Sequence, residues 1–320
     1  MRCLVTGAAG FIGSTLVRRL LAEGHEVVGL DGFLDNYAEP LKRANLADLL
    51  AESRFSFVEG LIETLDVKPL VTKADRVYHL AALPGVRSSW GTSFEGYTSH
   101  NVYATQRLLE AARQAGVERF AYASSSSVYG DTDVLPMVET GRERPHSPYG
   151  VTKLAGEHLA RLYHRNYGVP TVSLRYFTVY GPRQRPDMAI QLFLTAARDG
   201  TPITVFGDGE QTRDFTYVDD TVDATLRAAE RGRQGAVYNV GGGSTVTVNR
   251  LIEVIEAVTG SRLEVRREGV QYGDVGHTLA DTRRASEDLD FVPSMQLEDG
   301  IARHWAWLRS TDQQRGIDTP

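Results

Sequence analysis

Cysteine is almost missing from this chain of 320 residues: Cys3 is the only one. That excludes an internal disulfide and any multi-cysteine metal cage. Within Arg2-Cys3-Leu4-Val5, the thiol reads as a small apolar residue of a first strand rather than a nucleophile. No apolar run approaches transmembrane length, and the N-terminus lacks a signal peptide's charged-then-apolar build, so a cytoplasmic protein without a membrane partner is expected. Basic runs are absent too. The net charge is −6, and Lys and Arg are scattered without interleaved aromatics, so no nucleic-acid partner is expected. His25, His100, His158 and His277 are isolated and lack acidic companions at ligand spacing, so no metal site is expected. The mild acidity leaves room for a small anionic substrate held by a few placed arginines.

What is present is alternation. Short β-branched runs at 2–6, 26–30, 55–58, 76–80, 119–123 and 171–176 read as strands, with helical patterns at 11–22, 39–50, 93–114 and 149–167 between them. This is the pattern of βαβ units on a parallel sheet. After about Phe177 the regularity breaks into Gly-, Pro-, Arg- and Asp-rich segments, with helices at 188–198, 218–231 and 249–258. No Ser/Pro-rich linker or repeat separates the halves. The expected fold is α/β: a Rossmann-type doubly wound parallel sheet with a smaller mixed α/β substrate-binding region. The sheet domain should cover 1–176, rejoined by about 216–243, and the smaller region 177–215 and 244–320. Trp305 and Trp307 read as docking of a last helix.

Thr6-Gly7-Ala8-Ala9-Gly10-Phe11-Ile12-Gly13 follows the first strand and opens the first helix. Gly7 permits a tight turn, Gly10 lets backbone approach a pyrophosphate, and Gly13 lets helix and strand pack closely. The N–H groups of the helix start, around Phe11 and Ile12, then face the phosphates. Glycine spacing alone is weak, but here Asp31 ends the second strand, where a carboxylate accepts from both ribose hydroxyls and repels a 2′-phosphate. No arginine follows directly, so NAD is expected over NADP.

Tyr149-Gly150-Val151-Thr152-Lys153 places a phenol and an ammonium on one helix face. A nearby cation lowers a phenol's pKa, which moves Tyr149 toward a usable general base. Ser124 to Ser127, before Val128-Tyr129-Gly130, end the fifth strand, where a hydroxyl could hold the same substrate oxygen. A Tyr-x-x-x-Lys pair alone is more often structural and serine runs are usually turns; the combination with the glycine loop favours chemistry.

At this point the sequence resembles the extended short-chain dehydrogenases/reductases, and within them the nucleotide-sugar epimerases. The resemblance covers nearly the whole chain. It runs through the glycine loop, Asp31, His79-Leu80-Ala81-Ala82, Asn101-Val102, Ser125 to Gly130, Tyr149/Lys153, Arg175 to Pro182, Arg213-Asp214-Phe215 and Gly273-Asp274. It implies a Ser125/Tyr149/Lys153 catalytic set and a tightly held NAD contacted also by Leu80, Ala81, Ala82 and Asn101. It further implies hydride removal from and return to a sugar C4, with no net redox change. His79 would be a packing residue beside the cofactor. Sister enzymes that dehydrate or decarboxylate carry acidic residues in the serine segment; Ser126 and Ser127 stand there instead, which argues against those outcomes.

The segment Phe177-Thr178-Val179-Tyr180-Gly181-Pro182-Arg183-Gln184-Arg185-Pro186-Asp187-Met188-Ala189 resembles that of the UDP-glucuronate 4-epimerases. Arg185 would form a fork-shaped pair with the sugar carboxylate, and Thr178 would add a donor, with Ser125 and Ser126 also on the sugar. For an isolated arginine, a surface role in a Pro-bounded loop would be the simpler reading. Arg213 matches an arginine on the diphosphate, with Asp214 as its possible holder. Asp274 matches a carboxylate on the uridine ribose, and Arg87 reaches phosphate or sugar unless it is a solvated loop residue. Two departures stand out: Leu61 replaces an Asp that contacts adenine, and Gln271 replaces an arginine beside the nucleotide. A homodimer through the helices at 93–114 and 149–167 is a further implication. The competing readings are a neutral UDP-glucose or UDP-N-acetylhexosamine 4-epimerase, an NAD-dependent nucleotide-sugar decarboxylase or dehydratase, and a catalytically silent NAD or UDP sensor.

Overall fold

The structure, a computed structural model, describes residues 1–132, 134–269 and 273–314. Its strands are β1 (Arg2–Thr6), β2 (Glu26–Asp31), β3 (Phe55–Glu59), β4 (Arg76–His79), β5 (Arg119–Ser125), β6 (Thr171–Tyr176), β7 (Thr178–Tyr180), β8 (Ile203–Phe206), β9 (Thr212–Tyr217), β10 (Val237–Val240), β11 (Thr245–Thr247) and β12 (Val265–Glu268). Its helices are α1 (Phe11–Ala22), α2 (Glu39–Leu46), α3 (Lys68–Thr72), α4 (Phe94–Tyr97), α5 (Ala104–Ala115), α6 (Pro148–Tyr167), α7 (Ala189–Asp199), α8 (Val218–Arg231), α9 (Val248–Thr259), α10 (Arg283–Leu289) and α11 (Leu297–Gln314).

Seven strands make one sheet in the order β10-β6-β5-β4-β1-β2-β3, with every pairing parallel. Successive side chains of a strand point to opposite faces. In β1, Cys3 and Val5 therefore join the core beneath α1 and α8, while Leu4 joins the core with Leu108 and Leu109 of α5. Burying each such leucine or valine contributes about 1.5–3 kcal/mol. Cys3 is buried, and burial pushes its thiol up to about 11, which suits a packing residue. The chain order reverses direction across the sheet between β1 and β4, and the carboxyl ends of those two strands open the crevice where such folds bind ligands.

The remaining strands form a smaller lobe: β11-β9-β7 in one sheet and β12-β8 in another, with α7, α9 and α11 packed together on it. These five short strands, and β10 beside β6, carry no alternating pattern that the sequence reading could use. The span 93–114, expected as one helix, is divided. Between α4 and α5 the turns at Thr98–Tyr103 widen to π-helical geometry. There Asn101 turns its side chain inward to the backbone of Leu83, and the hydroxyl of Thr105 donates to the Asn101 carbonyl at 2.6 Å. Such widened turns recur at functional sites.

Candidate active site

A cavity of about 440 Å³ lies along the carboxyl ends of the central strands. Gly7, Gly10, Phe11, Ile12 and Gly13 form its floor, and Leu80, Ala81 and Ala82 one wall. Gly7 has φ +72°, and a Cβ on Gly13 would lie 2.0 Å from the Gly7 carbonyl oxygen, so helix and loop touch only because both are glycine. The N-terminus of α1 has no side-chain cap, which leaves its first N–H groups directed at the cavity. Asp31 borders the same space; its carboxylate accepts from Ala9 N–H (3.0 Å) and Phe33 N–H (2.9 Å), while burial pushes its pKa up. Each oxygen retains a lone pair for a ribose hydroxyl. This donor and acceptor set fits a dinucleotide. Leu61 and Ile62 line the cavity where the Asp departure was noted, so that wall is apolar.

Behind the wall, polar residues brace one another. His79 is buried, with Nδ1 2.8 Å from the Thr6 hydroxyl and Nε2 2.9 Å from the Thr105 hydroxyl. Since Thr105 donates onward to Asn101, Nε2 is assigned the proton and Thr6 donates to Nδ1. Burial, with Lys153 nearby, pulls the His79 pKa down to about 3, so the ring stays neutral. Asn101 accepts from Leu83 N–H at 2.7 Å and donates to the Leu83 carbonyl and to Thr152 on α6. Expected at the cofactor, it does not line the cavity: its hydrogen-bonding groups are spent on tying the wall to α6.

The end of the cavity that holds Tyr149 and Lys153 is built by β5 and α6. Ser147 caps α6, accepting from Gly150 N–H at 3.1 Å, and Pro148 starts its first turn. Gly150 sits so close to the serine loop that a Cβ would lie 2.6 Å from the Ser127 carbonyl oxygen. Tyr149 and Lys153 therefore enter the cavity beside Ser124, Ser125, Ser126 and Ser127. Ser125 Oγ accepts from Ser127 N–H at 3.1 Å, which leaves its proton for the hydrogen bond it shares with Tyr149.

One electrostatic expectation needs correction. Burial pushes the Tyr149 phenol up, and the groups that oppose this are the Ser125 hydrogen bond and the charge of Arg185, not Lys153. The reason is that Lys153 is itself stripped of water: burial draws its ammonium down to about 7, against the pull of Glu157 one turn on. Its Nζ rests 4.7 Å over the Tyr122 ring. Glu157 is already committed, accepting from Arg175 (2.6 and 3.0 Å) and Ser124 (2.9 Å) in a fully buried cluster.

Thr178 and Arg185 line the same cavity. Arg185 is held by Asp187 through Nε (2.9 Å) and Nη2 (2.8 Å). The other expected substrate residues lie past the rim. Val86 lines the cavity, and Arg87 beside it pairs with Asp274 at 2.5 Å and covers the Phe206 ring. Arg213 donates to the Thr212 and Gly276 carbonyls and lies within reach of the charges of Asp274 and Arg87. Asp214 does not hold Arg213: it is buried and accepts from Gly242 and Ala280 N–H groups, and burial pushes it up to about 6. Gln271 lies outside the described residues.

The sequence reading missed Lys42, Tyr37, Glu63 and His100, which also line the cavity. Lys42 is tied to the Leu34 carbonyl and to Asn36 at 2.7 Å. His100 and Glu63 are paired at 2.6 Å. None has a motif of its own; only the fold brings them to the cleft. Among the described residues no cluster of three or more metal-binding side chains occurs.

With this geometry in hand, comparison with known proteins is direct. A profile of the NAD dependent epimerase/dehydratase family matches residues 3–241. The chain belongs to that family. A UDP-glucuronic acid 4-epimerase from Bacillus cereus, solved in complex with UDP-glucuronic acid and NAD, is 42% identical, superposes with a TM-score of 0.94 and is covered over 97% of this chain and 100% of its own. The uncharacterized UDP-glucose epimerase YtcB of Bacillus subtilis (strain 168) is 42% identical over 98% of this chain and 99% of its own. A probable UDP-glucuronate 4-epimerase of Rhizobium meliloti (strain 1021) is 35% identical over 96% of both.

Proposed function

We propose that the protein interconverts UDP-glucuronate and UDP-galacturonate by C4 epimerisation. One observation carries the choice of sugar: Arg185, a mostly buried cation with unspent donors, lines the same cavity as Tyr149 and Ser125. NAD, held by the glycine loop and Asp31, supplies the hydride acceptor and then donor at C4. Tyr149 takes the O4 proton as its phenolate, and Ser125 holds O4 through the hydroxyl it shares with Tyr149. Lys153, poised near neutrality, follows the charge on that pair. After the 4-keto sugar turns its other face, the same groups return the proton and the configuration is inverted.

Oxidation at C4 of a uronate creates a β-keto acid, and Arg185 with Thr178 supports retention of its carboxylate. The serine segment offers no acid to promote dehydration or decarboxylation. Arg87, Arg213 and Asp274, gathered past the rim, suit the UDP moiety: two cations for a diphosphate and a carboxylate for a ribose. The division into a sheet domain and a nucleotide-sugar region belongs to the same reading. So do a cytoplasmic location and a homodimer, the latter supported by the exposed Phe94, Tyr103, Val151, Leu162 and Tyr167 along α4 to α6. Sedimentation tests the dimer directly.

A neutral-hexose 4-epimerase is the second reading, favoured by the likeness to YtcB. The ratio of kcat/KM for UDP-glucuronate to that for UDP-glucose separates the two. The uronate reading expects at least about a tenfold preference, the order of one lost charged hydrogen bond, removed by Arg185→Met; a preference for glucose contradicts it.

A further inference from the structure

Arg185 reaches the cavity from a loop with restricted geometry. Gly181 (φ +138°) and Arg183 (φ +69°) turn the chain, and Pro186 fixes the backbone between Arg185 and Asp187. The guanidinium side chain is mostly buried, with 20% exposure, whereas the carboxylate that grips it is 54% exposed. The pair thus spans the cavity wall, cation inward and anion outward. Both Asp187 oxygens are spent on one edge of the fork, Nε and Nη2. A guanidinium has five N–H groups in one plane. With that edge taken, the edge formed by Nη1 and the second hydrogen of Nη2 is the one left for a planar, bidentate partner.

We propose that Asp187 is a positioning residue, fixing the Arg185 guanidinium so that only its Nη1/Nη2 edge meets the substrate's carboxylate. The inference rests on the uronate reading above. Its chemical consequence concerns the 4-keto intermediate. Decarboxylation breaks the C5–C6 bond; the electron pair passes to C5 and onto O4, CO₂ leaves, and C5 takes a proton. This requires the C5–C6 bond to stand out of the ketone plane. A carboxylate held at one fixed edge keeps C6 near that plane, whereas a freely rotating guanidinium would follow the carboxylate out of it. Asp187 also places a second negative charge on the same cation, so it supplies orientation rather than affinity.

The test uses the purified enzyme with UDP-glucuronate, following products by proton NMR and sugar affinity by calorimetry. Asp187→Asn is expected to lower kcat at least tenfold, leave the Kd for UDP-glucuronate within threefold of wild type, and release a UDP-pentose that wild type does not. Asp187→Glu, which keeps the charge, should recover most of kcat and suppress the pentose. If Asp187→Asn leaves kcat and products unchanged in an enzyme whose wild type epimerises UDP-glucuronate, this inference falls and the uronate reading stands. A lower melting temperature with equal losses on UDP-glucose and no pentose would show a merely structural role, and also overturns it. A wild type that epimerises UDP-glucose but not UDP-glucuronate overturns both.

Discussion

The two sides of the cleft are built from different materials. On the β1–β2 side, the surface offered to a ligand is largely backbone: the uncapped N–H groups of α1, two glycines in contact, and one carboxylate set by two main-chain N–H groups. On the lobe side it is charged side chains that grip a partner, Arg185 with Asp187 and, past the rim, Asp274 with Arg87 from the segment after β4. A backbone-built surface tolerates few substitutions because a single Cβ spoils it. A side-chain-built surface can be retuned one residue at a time.

Between the two sides stand Ser125, Tyr149 and Lys153, and here the largest effect is expected. Tyr149→Phe should cut turnover by about 10²–10⁴-fold, the usual share of a general acid/base, with nucleotide-sugar binding retained. Wild-type turnover in that variant would move the chemistry elsewhere.

The next effect separates burial from chemistry at Lys153. Its ammonium is drawn from 10.5 in the unfolded chain to about 7 in the fold. Between those values the unfolded state binds more protons, so this group's contribution to stability rises with pH. Below pH 7 the buried charge costs stability in full; by pH 10.5 the cost is gone. Lys153→Met should therefore gain stability over wild type near pH 6, with a gap that narrows toward pH 10 by roughly 4 kcal/mol at the ceiling. Urea unfolding of both proteins across that range measures it, and a pH-independent gap would contradict the lowered lysine pKa.

Two smaller tests act on the contrast itself. Gly13→Ala forces a methyl group onto the Gly7 carbonyl oxygen, at a cost of about 1–3 kcal/mol for overpacking. It should weaken NAD binding whichever sugar is offered, as titration calorimetry would show. Arg185→Lys replaces a planar fork by a point charge and should lower kcat/KM for UDP-glucuronate about tenfold while sparing NAD affinity. If both variants damaged both ligands equally, the two sides would not be separable.

The same contrast explains what the sequence could disclose. Gly7, Gly10, Gly13 and Asp31 sit within one βαβ unit, so their spacing carries their geometry. Tyr149 and Lys153 share a helix face, and Ser125 was placed by resemblance to the family. The lobe strands are three to six residues long and left no pattern. Long-range pairings were out of reach: that Asn101 braces Leu83 and Thr152, or that Arg87 meets Asp274 across 187 positions, follows only from the folded chain. Electrostatics was legible in outline and wrong in one particular. Helical spacing brought a lysine beside the phenol, but not the burial that draws that lysine down to about 7.

The most direct measurement is proton NMR of the purified protein incubated with UDP-glucuronate and no added NAD. The account expects the anomeric signal of UDP-galacturonate to grow, with no UDP-pentose. A pentose signal, or no conversion even after NAD is supplied, would contradict it.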